Sequence, residues 1–260
     1  MAIDSLQSTS DALLAAEANR TARASITEEW AGLDLEGAYK VQQLTVAAKV
    51  AGGDQIIGTK LGLTSAAKQA RMGITSPLTA VLLKSYILNG DVPVPLDKLI
   101  QPRVEPEIVF VMGKKLQGPG VTAATALDAV ESVYAGFEVI DSRFIDYSFA
   151  LPDVVADNAS SAYFVVGGKA VNPRDLDLAL EAVVVTVNGA TVATATGAAV
   201  QGHPAEALAL AANSLAERGL CIEAGEIVLT GGLTDAIPVS EGDQISAEFT
   251  TLGSLFVTGA

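Results

Sequence analysis

Two glutamates separated by one residue lie inside an apolar segment, Val104-Glu105-Pro106-Glu107-Ile108-Val109-Phe110-Val111. Because side chains two residues apart in a β-strand point to the same side, Glu105 and Glu107 would present two carboxylates to one place. A third glutamate, Glu138, interrupts another apolar segment, residues 135–140. A buried carboxylate is costly unless it is paired, protonated or bound to a metal. Three converging carboxylates would offer the oxygen ligands that a hard cation such as Mg²⁺ or Mn²⁺ prefers.

The glutamate pair also has a simpler interpretation. A Glu-x-Glu pattern at the start of a strand is typical of the solvated face of an edge strand. Pro106 suits an edge or a strand start, because proline cannot donate a hydrogen bond to a neighbouring strand. The spacing alone leaves both interpretations open.

Two further residues could take part in chemistry. Lys60 lies in a glycine-flanked, otherwise apolar segment, residues 55–63. A lysine there either extends to solvent or pairs with acidic side chains. We favour the second possibility, in which Lys60 is a partner for structural acids. His203 is the only histidine and precedes Pro204, a residue typical of a first helical turn. We therefore expect His203 at a helix entrance rather than in catalysis.

Composition argues against several kinds of partner and rules out an internal disulfide. The 260 residues carry a formal net charge of −14, which disfavours nucleic acid and anionic membranes as partners. An anionic substrate remains compatible, because a bound cation can dominate the local field. Cys221 is the single cysteine, so no internal disulfide can form. The first residues lack the pattern of a secretory signal and no apolar run is long enough to cross a bilayer, so we expect a soluble, cytoplasmic protein.

The hydrophobic pattern predicts helices first and mainly strands later. Helices are expected from Ser10 or Asp11 to about Arg23 and over residues 35–50, 66–72, 122–130 and 204–218. Strands are expected over residues 55–63, 81–88, 104–112, 134–140, 162–166, 181–187, 191–196, 226–230 and 244–256, with a type I′ turn at Asn188-Gly189. The pattern predicts an N-terminal helical lobe, residues 1–75, that leads into the first core strand. A β-rich domain, residues 76–260, would complete one compact unit.

Several motifs occur together in a fixed order along the chain. They are Gly58-Thr59-Lys60-Leu61-Gly62-Leu63-Thr64-Ser65, the Glu105 and Glu107 pair, Phe137-Glu138-Val139-Ile140-Asp141-Ser142-Arg143, Val155-Ala156-Asp157-Asn158-Ala159-Ser160-Ser161 and Thr230-Gly231-Gly232. With these motifs the chain resembles the 2-keto-4-pentenoate hydratase and 4-oxalocrotonate decarboxylase family, within the fumarylacetoacetate hydrolase superfamily. The resemblance extends over essentially the whole chain.

The resemblance implies an α+β fold, a mixed β-roll with a small N-terminal helical lobe. It implies a Mg²⁺ or Mn²⁺ ion held by Glu105, Glu107 and Glu138, and Lys60 as the catalytic residue. The substrate-binding residues that it implies are Leu61, Gly62, Ser160, Thr230 and Gly231. The implied substrates are small unsaturated 2-keto acids of the meta-cleavage branch of aromatic degradation. A homo-oligomer, and a complex with the partner hydratase of the pathway, are further expectations.

Two reactions compete within this family. Its hydratases carry an acidic residue in a segment resembling Gln-Pro-Asp-Phe-Gly, whereas this chain has Ser76-Pro77-Leu78-Thr79-Ala80. Leu78 at the acidic position resembles the decarboxylases, although Thr79-Ala80-Val81 departs from both patterns. We expect metal-dependent decarboxylation of 2-oxohex-3-enedioate to 2-hydroxypenta-2,4-dienoate and CO₂. Hydration of that dienoate, or a non-catalytic partner subunit, are the alternatives.

Overall fold

The structure, a computed structural model, describes residues 5–90 and 92–260 apart from the side chains of residues 68 and 71. Its helices are α1 (Leu6–Asn19), α2 (Ile26–Glu29), α3 (Leu35–Ala51), α4 (Ala66–Met72), α5 (Ala123–Leu127), α6 (Leu151–Ala156) and α7 (Pro204–Glu217). Its strands are β1 (Ile56–Gly62), β2 (Leu78–Leu83), β3 (Arg103–Met112), β4 (Val130–Ile140), β5 (Ser161–Val166), β6 (Ala182–Val187), β7 (Ala190–Thr196), β8 (Ile227–Gly232), β9 (Ile237–Pro238), β10 (Gln244–Phe249) and β11 (Gly253–Thr258). Among the described helices, none combines the length and apolar character needed to cross a membrane.

The strands form two sheets. One has seven strands in the order β2-β1-β8-β3-β4-β5, with β9 pairing β3 off this path, and the other has four in the order β11-β10-β6-β7. β1 pairs with β8 in parallel, whereas every other neighbouring pair in the two sheets is antiparallel. The predicted α+β fold with a mixed sheet is therefore confirmed.

The main core lies between the two sheets and α7. Alternation along β3 and β4 turns Ile108, Phe110 and Phe137 into this core, where they join Val185 of the second sheet and Leu208 of α7. All five side chains are fully buried. Because successive strand residues face opposite sides, the glutamates of β3 and β4 lie on the face turned away from this core.

The N-terminal helices pack at the β2 edge of the seven-stranded sheet. Leu13 of α1 and Val41 of α3 share a buried cluster with Val155 of α6 and Leu78 of β2. β1 pairs with both β2 and β8, so residues 56–62 are part of the same sheet as the later strands. The division of the chain at residue 75 stays a prediction.

Several predicted boundaries are wrong. α5 ends at Leu127 rather than at residue 130, and β4 begins at Val130 rather than at residue 134. α1 begins at Leu6, because the Ser5 hydroxyl accepts a hydrogen bond from the Ser8 N–H and caps the helix earlier than Ser10 or Asp11 would. β2 runs over Leu78–Leu83 rather than residues 81–88, since a 3₁₀ turn follows at Lys84–Tyr86. The predicted strand over residues 244–256 is two antiparallel strands, β10 and β11.

The predicted hairpin turn is confirmed. Asn188 and Gly189 both have positive φ, 51° and 83°, as a type I′ turn requires. The turn joins β6 to β7 in antiparallel register.

Candidate metal and substrate site

Three carboxylates meet on the face of the seven-stranded sheet that is turned away from the main core. Glu105 and Glu107 extend from β3, and Glu138 stands opposite Glu105 on β4. One ligand oxygen from each carboxylate lies within 4.8 Å of the other two. Glu107 and Glu138 are buried, at 0% and 1% exposure, and Glu105 is half-buried. The convergence predicted from the spacing is therefore present.

The edge-strand interpretation of Glu-x-Glu is wrong, because β3 lies between β4 and β8. Pro106 is nevertheless accommodated, since its carbonyl oxygen accepts a hydrogen bond from the Leu233 N–H at 2.9 Å on the β8 side. β8 ends opposite Glu107, and β9 begins only opposite Val104. The missing N–H of Pro106 thus falls where a loop replaces the neighbouring strand.

The glutamate oxygens are only partly satisfied by the protein. Glu107 Oε2 accepts a hydrogen bond from the Gly231 N–H at 2.7 Å. Glu107 Oε1 and Glu138 Oε2 accept no hydrogen bond within the described part of the chain. Burial, and then repulsion from Glu138 and Glu105, raises the pKa of Glu107 well above its ordinary value. Buried carboxylate oxygens without donors are what a divalent cation would satisfy, so the residues fit Mg²⁺ or Mn²⁺.

Lys60 stands beside the trio and is 3% exposed. Its Nζ lies 2.7 Å from Glu138 Oε1 and donates a hydrogen bond to the Ala159 carbonyl oxygen at 2.8 Å. The prediction that Lys60 is a partner for acids is confirmed. Burial still raises the pKa of Glu138, although the Lys60 ammonium opposes that shift. A catalytic role for Lys60 stays a prediction.

The segment that contains Ser160 has an unusual backbone. Asn158, Ala159 and Ser160 have φ values of 49°, 50° and 57°, a left-handed conformation that non-glycine residues adopt at a cost. The Asn158 side chain bonds both the N–H and the carbonyl of Val81, each at 2.9 Å, and ties the segment to β2. This conformation directs the Ala159 carbonyl to Lys60 and places Ser160 at a cavity, where its hydroxyl lies 3.2 Å from Asp157 Oδ2.

A cavity of about 690 Å³ opens beside Lys60 and Glu105. This volume is in the range of small-molecule sites. One group of lining residues is apolar: Gly62, Leu63, Met72, Leu78, Ile140, Phe149, Val154, Ala159 and Ala236. The other carries charge or hydrogen-bonding groups: Lys60, Arg103, Glu105, Tyr147, Ser148, Ser160 and Asp235.

The structure brings some of the predicted substrate-binding residues to this cavity and not others. Gly62 and Ser160 line it, whereas Leu61, Thr230 and Gly231 are not among its described lining residues. Leu61 follows Lys60 in β1, so its side chain faces the main core. The Thr230 hydroxyl donates to the Ile108 carbonyl at 2.8 Å. Thr230 and Gly231 are thus positioned to hold β3 and Glu107.

Two glycines at the end of β8 make room for the carboxylates. A Cβ on Gly232 would lie 2.7 Å from Glu105 Cδ. Gly231 has φ of +111°, and a Cβ there would lie 2.1 Å from the Thr64 hydroxyl oxygen. Side chains at these two positions would therefore displace the carboxylate or the loop after β1.

The interpretation of the sequence missed Arg103 and Tyr147, which both line the cavity. Arg103 lies in β3 two residues before Glu105, so the period of two that pairs the glutamates also places Arg103 on their face. That signal was available in the sequence. Tyr147 had no comparable signal, because it reaches the cavity through the folding of the loop after β4.

The fold and the site together define a class of α+β protein in which an acidic trio on a mixed sheet lies beside a cavity of a size suited to a small molecule. The family described as fumarylacetoacetate (FAA) hydrolase C-terminal matches residues 55–258. The chain belongs to this family, and the resemblance inferred from the ordered motifs is confirmed.

Individual relatives are similar to this chain over most of its length. The 4-oxalocrotonate decarboxylase of Pseudomonas sp. (strain CF600) is 43% identical over 88% of this chain and 87% of its own length. The 2-hydroxyhexa-2,4-dienoate hydratase of Comamonas testosteroni is 39% identical over 92% of each chain. A solved structure of 4-oxalocrotonate decarboxylase from Pseudomonas putida G7, complexed with magnesium and adipate, has a TM-score of 0.95 and 38% identity, covering 98% of this chain and 97% of that one.

Proposed function

We propose that this protein is a metal-dependent lyase that converts 2-oxohex-3-enedioate to 2-hydroxypenta-2,4-dienoate and CO₂. The observation that carries the proposal is the acidic trio beside Lys60, of which Glu105 lines, together with Lys60, a cavity whose wall at Leu78 is apolar. The similarity to decarboxylases supports it, and one of these binds magnesium together with adipate, a dicarboxylate of six carbons.

In the proposed reaction, the trio binds the metal, while its neighbours Lys60 and Ser160 bind the substrate or transfer a proton. Glu105, Glu107 and Glu138 would hold Mg²⁺ or Mn²⁺, which when bound acts as a Lewis acid for the substrate's 2-oxo group. The C5–C6 bond breaks, its electron pair moves through C4 and C3 to the 2-oxo oxygen, and that oxygen takes a proton. Lys60 and Ser160 both line the cavity. We expect Lys60 to pair the substrate or to supply this proton, and Ser160 to bind the 1-carboxylate.

The apolar wall favours loss of CO₂ over addition of water. Leu78 is 3% exposed and lines the cavity with Leu63, Met72 and Val154. These side chains offer no hydrogen bond to the ordered water that hydration requires. They accommodate neutral CO₂ and the dispersed charge of the dienolate better than that water.

The hydratase reaction is the second candidate, because relatives of similar identity are hydratases. Hydration needs a proton donor and an ordered water, and Leu78 supplies neither. A non-catalytic partner subunit is disfavoured by the complete set of Glu105, Glu107, Glu138 and Lys60. Small 2-keto acids are the class of substrate for which the relatives argue; a homo-oligomer, a complex with a partner hydratase and a cytoplasmic location stay predictions.

The proposal is tested by CO₂ release from 2-oxohex-3-enedioate by the isolated protein. We expect release with Mg²⁺ or Mn²⁺, its loss on chelation with EDTA and its return when the metal is restored. No turnover by folded, metal-loaded protein would favour the non-catalytic subunit instead.

A further inference from the structure

Arg103 places a cation on the cavity wall near the trio. It is half-buried, lines the cavity and lies two residues before Glu105 on the same face of β3. The separation of their Cα atoms along a strand is about 7 Å. Among the described residues, no ion pair joins Arg103 to an acid. In a chain with 30 acidic and 16 basic residues, a cavity arginine without such a pair is available to an anionic ligand.

Tyr147 holds the Arg103 guanidinium in place. The guanidinium carbon lies 4.1 Å from the centroid of the Tyr147 ring. The Tyr147 hydroxyl is within hydrogen-bond distance of the Gln101 and Ile140 carbonyl oxygens, at 3.2 and 3.1 Å. An arginine stacked on an aromatic ring keeps the N–H groups at its edge free to bind a carboxylate through two parallel hydrogen bonds.

Lys60 and Arg103 line the same cavity, so each carboxylate of a dicarboxylic keto acid would have a cation to meet. A keto acid whose 1-carboxylate and 2-oxo group face the trio, Lys60 and Ser160 would extend its chain along the cavity. We propose that Arg103 binds the second carboxylate and so selects dicarboxylic over monocarboxylic 2-keto acids. This inference rests on the proposed function, which assigns the keto-acid end to the trio.

The proposed contact has a specific kinetic signature. The second carboxylate loses its charge as it becomes CO₂, so the attraction to Arg103 is stronger in the bound substrate than in the transition state. Such a contact lowers KM without raising kcat. Arg103→Met should therefore raise KM for 2-oxohex-3-enedioate without lowering kcat.

The direct test compares two probes that differ only at the far end. 2-Oxohexanedioate and 2-oxohexanoate share the keto-acid end and six carbons, and neither contains the C3–C4 double bond that the decarboxylation needs. Binding of each to the Mg²⁺-loaded protein is measured by calorimetry for wild type, Arg103→Met, Arg103→Lys and Arg174→Met. Arg174 is a matched control, because it is an exposed arginine paired with Asp128.

We expect Arg103→Met to weaken binding of the diacid about tenfold to a hundredfold, the range of a charge-assisted hydrogen bond, and to leave binding of the monoacid unchanged. Arg103→Lys should recover part of the diacid affinity, and Arg174→Met should alter neither. Equal losses for both probes would overturn the inference, because Arg103 would then act on the keto-acid end or on the fold. Unchanged diacid affinity would overturn it too.

The binding test separates this inference from the proposed function. A protein that releases no CO₂ from 2-oxohex-3-enedioate, yet prefers the diacid in a manner that depends on Arg103, would contradict the proposed reaction and support the selection. A protein that releases CO₂ without this dependence would support the reaction and contradict the selection.

Discussion

Glu107 is the most constrained carboxylate of the trio. It is fully buried, one of its oxygens accepts the Gly231 N–H, and the other has no donor among the described residues. Its negative charge is repelled by Glu138 and Glu105. Burying a carboxylate beside two others costs free energy. A cation shared by all three carboxylates would offset that cost and explain why Glu107 is buried here.

Glu107→Gln should weaken Mg²⁺ binding by more than about tenfold and remove most turnover, because a neutral amide is a poorer ligand for a hard cation. Calorimetric titration with Mg²⁺ measures the affinity. Glu131→Gln is the matched control, since Glu131 is an exposed glutamate on β4. Equal affinities in wild type and Glu107→Gln would remove Glu107 from the ligand set.

Mg²⁺ affinity should rise with pH. Burial raises the pKa of both Glu107 and Glu138, so protons compete with the cation for the same oxygens at low pH. Metal binding should release protons, and the affinity should increase as the pH rises through the raised pKa values of the two glutamates, before it levels off. Titrations in buffers of different ionisation enthalpy count the protons released. A flat profile without proton release would contradict raised pKa values in the metal-free site.

Lys60→Met should lower kcat/KM by at least about tenfold, because it keeps the approximate length of the side chain but removes the charge beside Glu138. The unpaired Glu138 should also bind Mg²⁺ no more weakly than wild type, since a competing cation is gone. Lys114→Met, at an exposed lysine, is the control. Near-normal kcat/KM in Lys60→Met would rule out a catalytic or substrate-pairing role.

The turn at the end of β8 positions the Gly231 N–H against Glu107. Gly231 needs both its positive φ and its lack of a side chain, because Thr64 lies against it. The loop after β1, the end of β8 and the glutamates of β3 therefore depend on one another. With Glu138 on β4, the site is a junction of four strands, β1, β3, β4 and β8, rather than a feature of β3 alone.

Gly231→Ala should destabilise the fold by more than about 1–2 kcal/mol, the cost of a left-handed alanine, because its Cβ would also collide with Thr64. It should weaken Mg²⁺ binding as well, since the N–H bonded to Glu107 would move. Gly219→Ala is the control: its φ is +71°, but nothing lies within 4 Å of the added Cβ. Urea unfolding and Mg²⁺ titration of both variants provide the measurement. Identical losses in the two would show that the contact with Thr64 is unimportant.

Sequence patterns predicted the parts of this site that depend on local alternation. The period of two joined Glu105 to Glu107, and the same rule would have added Arg103 and turned Leu61 away from Lys60. The fit of Pro106 in an interior strand could not be predicted, because it depends on the loop between β8 and β9. The start of α1 was missed because Ser5 and Ser10 are equally good caps, and only the Ser5–Ser8 contacts decide between them.

The two faces of the seven-stranded sheet have different roles: one packs in the main core and the other carries the acidic trio. One face of β3 and β4 packs against the second sheet and α7 in the main core. The opposite face carries the trio, and Val154 of α6 lines the cavity beside Glu105. β2 contributes Leu78 to the cavity wall, where we expect it to favour decarboxylation over hydration.

The choice between the two reactions is tested most directly by offering each substrate separately to the Mg²⁺-loaded protein and analysing the products. We predict CO₂ release from 2-oxohex-3-enedioate and little hydration of 2-hydroxypenta-2,4-dienoate, because the wall at Leu78 provides neither a proton donor nor a site for an ordered water. Fast formation of 4-hydroxy-2-oxopentanoate from the dienoate, without CO₂ release from the diacid, would contradict the decarboxylase and establish the hydratase.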